Sequence, residues 1–363
     1  MKVYVAATRQ NDGKTVLSLG LIHALGRRVT SVGYMKPVGQ QYLVIDNDKI
    51  DKDVVLMSRI YNLKDRLIDM SPIAIPRGFT EDYINHPRKE VLQAEVLRSF
   101  HNVARDKDLI LIEGTGHAGV GSVFDLSNSE VARLLKAKVI LVSLGGVGKP
   151  IDEILLNKAM FDQKGVEILG VIINKVKKDK YEKIDKLVRK SLKAHGLRTL
   201  GVVPFDPILS SPTVGEILRE INGELLWGRN KLDLQVEKYV VGAMPLKTAL
   251  NYFSGKYLLI TPGNREDLIL AALTQSLLGN CVDNCLLGVI LTGGILPHEN
   301  ILGLIKKTDF PLILVKDDTY TATSKITSLN FKIKAEDFEK VEETQELVEE
   351  YVDVDEIYSL LKK

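Results

Sequence analysis

The amino-acid sequence predicts an α/β protein: a doubly wound parallel sheet with helices on both faces, followed by a smaller α/β domain. Three observations lead there. A short β-branched run, Val3-Tyr4-Val5-Ala6-Ala7, passes through a polar turn ending in Gly13-Lys14-Thr15 into the apolar helical pattern of residues 16–22. Further apolar runs at 109–113, 138–143, 168–174 and 200–203 alternate with helical stretches at the spacing of βαβ units. A second, shorter alternation of strand and helix patterns starts near residue 239.

Bulk composition narrows the function classes. With 363 residues, 45% hydrophobic and 26% charged, the chain has the make-up of an ordinary globular protein of two domains. A net charge of +2 supplies no field that would gather nucleic acid or an anionic membrane, so neither is expected as a partner. No apolar run is long enough to span a bilayer, and the N-terminus enters a strand without a signal segment, so a cytoplasmic protein is expected. Cys281 and Cys285 make no disulfide framework. The six histidines (His23, His86, His101, His117, His195, His298) are scattered, so transition-metal chemistry is not expected.

Taken in order, the first element reads as strand, phosphate-binding loop, helix. Backbone N–H groups of such a loop, with the positive end of the helix dipole, cradle a polyphosphate. In this reading Asn11, Asp12, Gly13, Lys14, Thr15 and Val16 bind the nucleotide. Lys14 reaches the β- and γ-phosphates and the Thr15 hydroxyl meets Mg²⁺. Thr8 stands where the usual spacing has a glycine, and an ordinary strand–turn–helix is the plainer alternative. Residues 29–34 read as a second strand stopped by Pro37, which leaves Lys36 at the carboxyl end near the loop. A solvated lysine at a turn is the alternative there. Asp51 or Asp53 opens a helix as its N-cap, or offers an oxygen to magnesium. Residues 66–88 form a loop-rich connection, either on the substrate side or simply at the surface.

Residues 109–113 read as a buried strand that delivers one carboxylate, Glu113, in the manner of a Walker B acid. Gly114 and Gly116 then let the backbone approach a ligand beside His117. Asn174, at another strand end, either bonds a nucleobase or caps a turn. The first domain is expected over 1–222 and a linker over 223–238, which carries the only tryptophan, Trp227. The second α/β domain is expected over 239–334. Its middle strand ends at Thr292-Gly293-Gly294, an anion nest or a tight turn. Residues 335–363 read as one closing amphipathic helix.

On these residues the first domain resembles the dethiobiotin synthetase family of P-loop proteins, which also includes the cobyrinic acid amidases. The likeness rests on Gly13-Lys14-Thr15, Lys36-Pro37-Val38, Asp53, Glu113-Gly114-x-Gly116 and Gly201-Val202-Val203-Pro204. It implies a P-loop NTPase fold with ATP and Mg²⁺ as cofactors, Thr15, Asp53 and Glu113 near the metal, and Lys14 and Lys36 as catalytic cations. Residues 239–334 resemble the DRTGG domain through Pro262-Gly263-Asn264-Arg265-x-Asp267 and Leu291-Thr292-Gly293-Gly294. Together the two regions resemble the N-terminal regulatory half of the long bacterial phosphotransacetylases, with no counterpart of their acetyltransferase domain expected.

The departures are specific. Ala7 replaces the first loop glycine of the dethiobiotin synthetases, Asn11 replaces an acidic loop residue, and residues 65–85 do not resemble their diamine-binding segment. Partition and septum-positioning ATPases of the same superfamily carry a signature lysine where this chain has Arg9. Arg9 is therefore expected either to offer a cation to a phosphate across a dimer, or to be a surface arginine. The favoured role is a nucleotide-sensing regulatory module in which the second domain mediates homodimerisation or ligand response. The alternative is an ATP-dependent ligase that activates a carboxylate or carbamate as an acyl phosphate, with a small carboxylate or amine as second substrate.

Overall fold

A computed structural model describes residues 1–278, 284–329 and 333–363. Cys281 lies outside the described residues, and Cys285 is half-buried. The chain divides into two compact units, residues 1–206 with 333–363, and residues 207–332.

The first unit is built on six strands: β1 (Lys2–Ala7), β2 (Val32–Met35), β3 (Leu109–Glu113), β4 (Lys138–Leu144), β5 (Ile168–Val176) and β6 (Thr199–Pro204). They lie in the order β6-β5-β4-β1-β3-β2, and every neighbouring pair is parallel. β1, β3 and β4 are continuous apolar runs buried almost end to end, which is what a parallel strand covered on both faces requires. The covering helices are α1 (Lys14–Gly26), α2 (Lys52–Ile60), α3 (Lys89–Ala104), α4 (Asn128–Leu135), α5 (Lys149–Gln163) and α6 (Tyr181–Ala194). Winding reverses at β1, which has β3 on one side and β4 on the other. At such a reversal a crevice opens at the strand's carboxyl end, where the chain enters residues 8–13. An antiparallel hairpin, Tyr42–Ile45 with Asp48–Asp51, leads directly into α2 and sets Asp51 at its N-cap.

The second unit holds β7 (Glu224–Trp227), β8 (Lys238–Val241), β9 (Gly255–Pro262), β10 (Asn284–Thr292) and β11 (Leu312–Leu314) in the order β7-β11-β10-β9-β8. All pairs are parallel except the edge pair β7–β11. The stretch expected to be a linker, 223–238, therefore carries an edge strand. The preceding helix α7 (Val214–Glu220) starts with a capping box of Thr213 and Glu216. Its Val214 and Ile217 join Leu258, Ile260, Leu287 and Ile290 in one apolar cluster, which ties this helix to the second sheet. Helices α8 (Glu266–Leu278), α9 (Glu299–Ile305) and α10 (Thr319–Ser328) complete the unit.

The closing segment forms two helices where one was expected, α11 (Phe338–Tyr351) and α12 (Val354–Lys362), and both belong to the first unit. The break has a local cause. Val352 bridges to Gly201, the Asp353 N–H donates to the Leu200 carbonyl at 2.7 Å, and the Asp353 side chain accepts the Glu356 N–H at 2.9 Å to start α12. α11 lies hard against α1. A Cβ on Gly20 would stand 2.3 Å from Val348 Cγ2, so the closeness of the two helices depends on glycine at that position. Arg27–Glu349 at 2.6 Å and Arg28–Asp355 at 2.7 Å join α1 and the turn after it to the same pair of helices.

Candidate functional site

The loop after β1 has the conformation needed at the start of an anion-binding helix. Gly13 is the N-cap of α1 with φ +96°, in the left-handed region, and it has no side chain to cap the first-turn N–H groups. Those groups have no acceptor one turn earlier, so they point out of the helix start with the positive end of its dipole. A Cβ on Gly13 would also meet Asn174 Nδ2 at 2.2 Å. Asn11 takes a left-handed φ of +65°, a conformation that asparagine tolerates.

Side chains fold this loop from inside. Asp12 is buried and accepts from Thr8 Oγ1 at 2.7 Å and from the Arg9 N–H at 2.8 Å. Burial pushes its carboxyl above the usual range, against these two bonds. Thr8 Oγ1 also reaches Ser143 Oγ on β4, at 3.2 Å. Asn174 Nδ2 donates to the Asp12 carbonyl at 2.9 Å, and Asn174 Oδ1 accepts the Lys175 N–H at 2.9 Å. Lys175 Nζ donates to the Asn11 carbonyl at 2.9 Å. Asn174 is thus buried and holds the loop through both ends of its amide.

Beneath the loop lies a cluster of buried charge. Thr15 Oγ1 donates to Glu113 Oε1 at 2.9 Å and lies 3.3 Å from Asp53 Oδ2. Lys36 Nζ makes a short ion pair with Asp53 Oδ2, and lies 3.1 Å from Asp51 Oδ1 and 3.9 Å from Glu113 Oε1. Tyr34 OH donates to Glu113 Oε2 at 3.0 Å. Asp51, Asp53 and Glu113 are no more than 2% exposed. Burial lowers the proton affinity of the Lys36 amine, but Asp53, Glu113 and Asp51 outweigh it and hold the amine above the ordinary lysine value. Burial raises the Glu113 carboxyl, with Lys36 pulling the other way, and it lowers the Lys14 amine. Breaking such a set by removing one partner costs about 3–5 kcal/mol, since it strands a buried charge.

The donor set suits a hard divalent cation. Octahedral Mg²⁺ with ligands at about 2.0–2.1 Å separates neighbouring oxygens by about 2.9 Å. The Thr15–Glu113 separation of 2.9 Å and the Thr15–Asp53 separation of 3.3 Å fall near that edge. Among the described residues no group of three or more His, Cys, Asp or Glu side chains forms a ready-made metal cage. Mg²⁺ characteristically takes one or two carboxylates and completes its shell with water and phosphate.

Of the other residues singled out, Arg9 sits at the loop with Nε 2.8 Å from Glu153 Oε2 on α5. Gly114, Gly116 and His117 follow β3. Asn128 binds this segment through the Thr115 N–H at 3.0 Å and the carbonyls of Thr115 and His117 at 2.8 and 2.6 Å. His117 itself is exposed and accepts the Gly119 N–H at 3.1 Å. Thr292, Gly293 and Gly294 lie in the second unit. The Gly293 and Gly294 N–H groups donate to the Asp317 and Val315 carbonyls at 2.7 and 2.8 Å. Both are spent within the fold, so this is a tight turn and not an anion nest.

Several participants went unread in the sequence. Tyr34 precedes Lys36 by two residues along an extended strand, so both side chains fall on one face, a spacing that could have drawn attention to it. Asp51, read in the sequence as a cap or a magnesium ligand, is the cap: it accepts the Asp53 N–H at 2.8 Å, and it also faces Lys36, a contact the sequence did not announce. Ser143 and Asn128 carry no local signal.

Comparison with known proteins places these features in a family. Residues 1–213 match the profile of the AAA domain (AAA_26), and residues 216–329 match that of the DRTGG domain. The chain is 28% identical over 369 residues to the phosphate acetyltransferase of Nitratidesulfovibrio vulgaris, covering 99% of this chain and 51% of that protein. It is 25% identical over 370 residues to the phosphate acetyltransferase of a Synechocystis species, covering 99% of this chain and 52% of that protein. The chain thus spans about half the length of the curated relatives it matches. Among solved structures, the septum site-determining protein MinD of Pyrococcus horikoshii, complexed with Mg-ADP, aligns at 19% identity with a TM-score of 0.36, over 57% of this chain and 82% of that one. The CBS and DRTGG domains of a Clostridium perfringens pyrophosphatase, complexed with the activator diadenosine tetraphosphate, align at 18% identity with a TM-score of 0.27, over 39% and 67%. No helix among the described residues is long and apolar enough to cross a membrane. The AAA_26 profile covers more than half of the chain, so this protein belongs to the AAA_26 family of AAA domains, with a DRTGG domain following.

Proposed function

We propose that the first unit binds ATP with Mg²⁺ and that the protein is a nucleotide-sensing regulatory module. The observation that carries this is the convergence of an uncapped helix start at Gly13, the buried Lys14, and Thr15 bonded to Glu113 at the end of β3. In that reading the first-turn N–H groups and Lys14 hold the phosphates. Thr15, Asp53 and Glu113 hold Mg²⁺, which would neutralise phosphate charge. Asn174 and Asp12 keep the loop in shape. Lys36 offers a second cation at the γ-phosphate. The kinship with phosphate acetyltransferases over about half their length supports a regulatory role, since it spans both units of this chain.

Arg9 is proposed to meet the phosphates of a nucleotide held by a second copy of the chain, after leaving Glu153. Nucleotide-dependent dimerisation left unchanged in Arg9→Ala would remove that role. The regulatory reading is tested by measuring equilibrium ATP binding and steady-state ADP release, with and without small carboxylic acids and amines. Tight binding with negligible turnover is expected. ADP release stimulated by an acid or amine would overturn the sensor reading and mark a ligase.

A further inference from the structure

Lys36 and Thr15 approach the same two carboxylates, Asp53 and Glu113, from different elements. Three buried carboxylates face one buried ammonium at close range, with Lys14 the other cation acting on Glu113 and Asp53. Asp51 adds a further mark of imbalance: its Oδ2 is buried and without a hydrogen-bond partner, and it faces Gly39, where a Cβ would stand 2.6 Å from it. The backbone at Lys36 is fixed, because its N–H donates to the Met70 carbonyl at 2.8 Å. Its four-carbon stem leaves the ammonium free to swing about that anchor.

We propose that the Lys36 ammonium is a built-in stand-in for the divalent cation, so that Mg²⁺ settles on Thr15, Asp53 and Glu113 only together with a nucleotide whose phosphates draw Lys36 away. This rests on the nucleotide-binding reading above. Two cations cannot share one pair of carboxylates without repulsion. Mg²⁺ gives up its water reluctantly and gains little here without phosphate oxygens, whereas the ammonium already lies between Asp53 and Glu113, where the metal would sit. Arriving phosphates supply what both cations need: ligands for the metal and a new counter-ion for Lys36. The metal and the nucleotide then bind as one unit, and the empty protein does not respond to free Mg²⁺.

The test uses the full chain and Mn²⁺ as a spectroscopic probe, counted by electron paramagnetic resonance with and without AMPPNP, a non-hydrolysable ATP analogue that carries the γ-phosphate. Wild-type protein is expected to bind Mn²⁺ weakly alone and much more tightly with AMPPNP. Lys36→Met is expected to bind Mn²⁺ without nucleotide about tenfold or more tightly than wild type. Its melting temperature is expected to rise with Mg²⁺ alone, which that of wild type does not. Should Lys36→Met fail to fold, Asp51→Asn combined with Lys36→Met removes one buried charge, keeps a competent cap, and is expected to show the same gain. Wild type binding Mn²⁺ as tightly without AMPPNP as with it would overturn the proposal, as would variants that bind Mn²⁺ no more tightly than wild type. If wild type binds no AMPPNP at all, the nucleotide reading falls by itself, and the nucleotide-free comparison still decides the role of Lys36.

Discussion

Each unit has a parallel strand that runs into a glycine-bearing turn: residues 8–13 after β1 and Thr292 to Gly294 after β10. After β1 the chain enters a helix whose first N–H groups have no cap, and the loop is shaped by the buried Asp12, Asn174 and Lys175. After β10 the glycine N–H groups are consumed by the carbonyls of Val315 and Asp317, and Thr292 is bonded to Thr319 at 2.7 Å. One turn sits above buried Lys36, Asp51, Asp53 and Glu113. The other has an exposed pair, Lys325 with Asp317 at 2.7 Å. Glycine at a strand end therefore does not mark a ligand site. What marks it is where the backbone donors point and which charges lie beneath.

Substitution at the two turns should break this comparison most sharply. In Gly13→Ala the methyl group meets Asn174 Nδ2 at 2.2 Å with φ at +96°, so nucleotide affinity is expected to fall about 100-fold or more, read by calorimetry. Gly293→Ala, at φ +72° but with no Cβ contact under 3.5 Å, should cost about 1–2 kcal/mol in chemical denaturation and leave nucleotide affinity unchanged. Equal loss of nucleotide affinity in both variants would erase the distinction. Gly20→Ala forces a methyl group against Val348 and the Thr344 carbonyl and should cost about 1–3 kcal/mol of stability. Unchanged stability there would mean that α11 does not rest on α1 in solution.

The smallest effect concerns two glutamates of the first unit. Glu113 is raised by burial, whereas the Arg133 guanidinium and Lys164 hold the Glu130 carboxyl down to about 2, against burial. A depressed acid stabilises the fold above its unfolded value near 4.5, and that contribution is lost as pH falls towards 2. Glu130→Gln should therefore be about 1 kcal/mol less stable than wild type at neutral pH, discounted because its partners are half exposed. The gap should close as pH falls from 4.5 towards 2, as urea titrations at several pH values would read. A gap independent of pH would assign the loss to packing.

Much of this was legible in the sequence because it is local. The strand–loop–helix of residues 3–22 and the apolar run ending in Glu113 declare themselves through burial pattern and order, and so does Lys36 through the proline that stops its strand. The rest depends on contacts between distant residues. Asn174 reads as a base contact or a turn cap until the Asp12 carbonyl is seen beside it. Residues 335–363 show amphipathic character, but nothing in them announces Gly20, Leu200 or Gly201 as the surface they cover. The edge strand in 223–238 was hidden because a four-residue strand pairing at one edge carries too short an alternation to read.

The central claim is that the loop from Thr8 to Thr15 binds a nucleotide through Lys14. Isothermal titration of Mg·ATP into the full chain and into Lys14→Ala tests it most directly. The account predicts clear binding by wild type and a loss of about 100-fold or more in the variant, with the melting temperature of the nucleotide-free protein little changed. Equal affinity in the two proteins would contradict it.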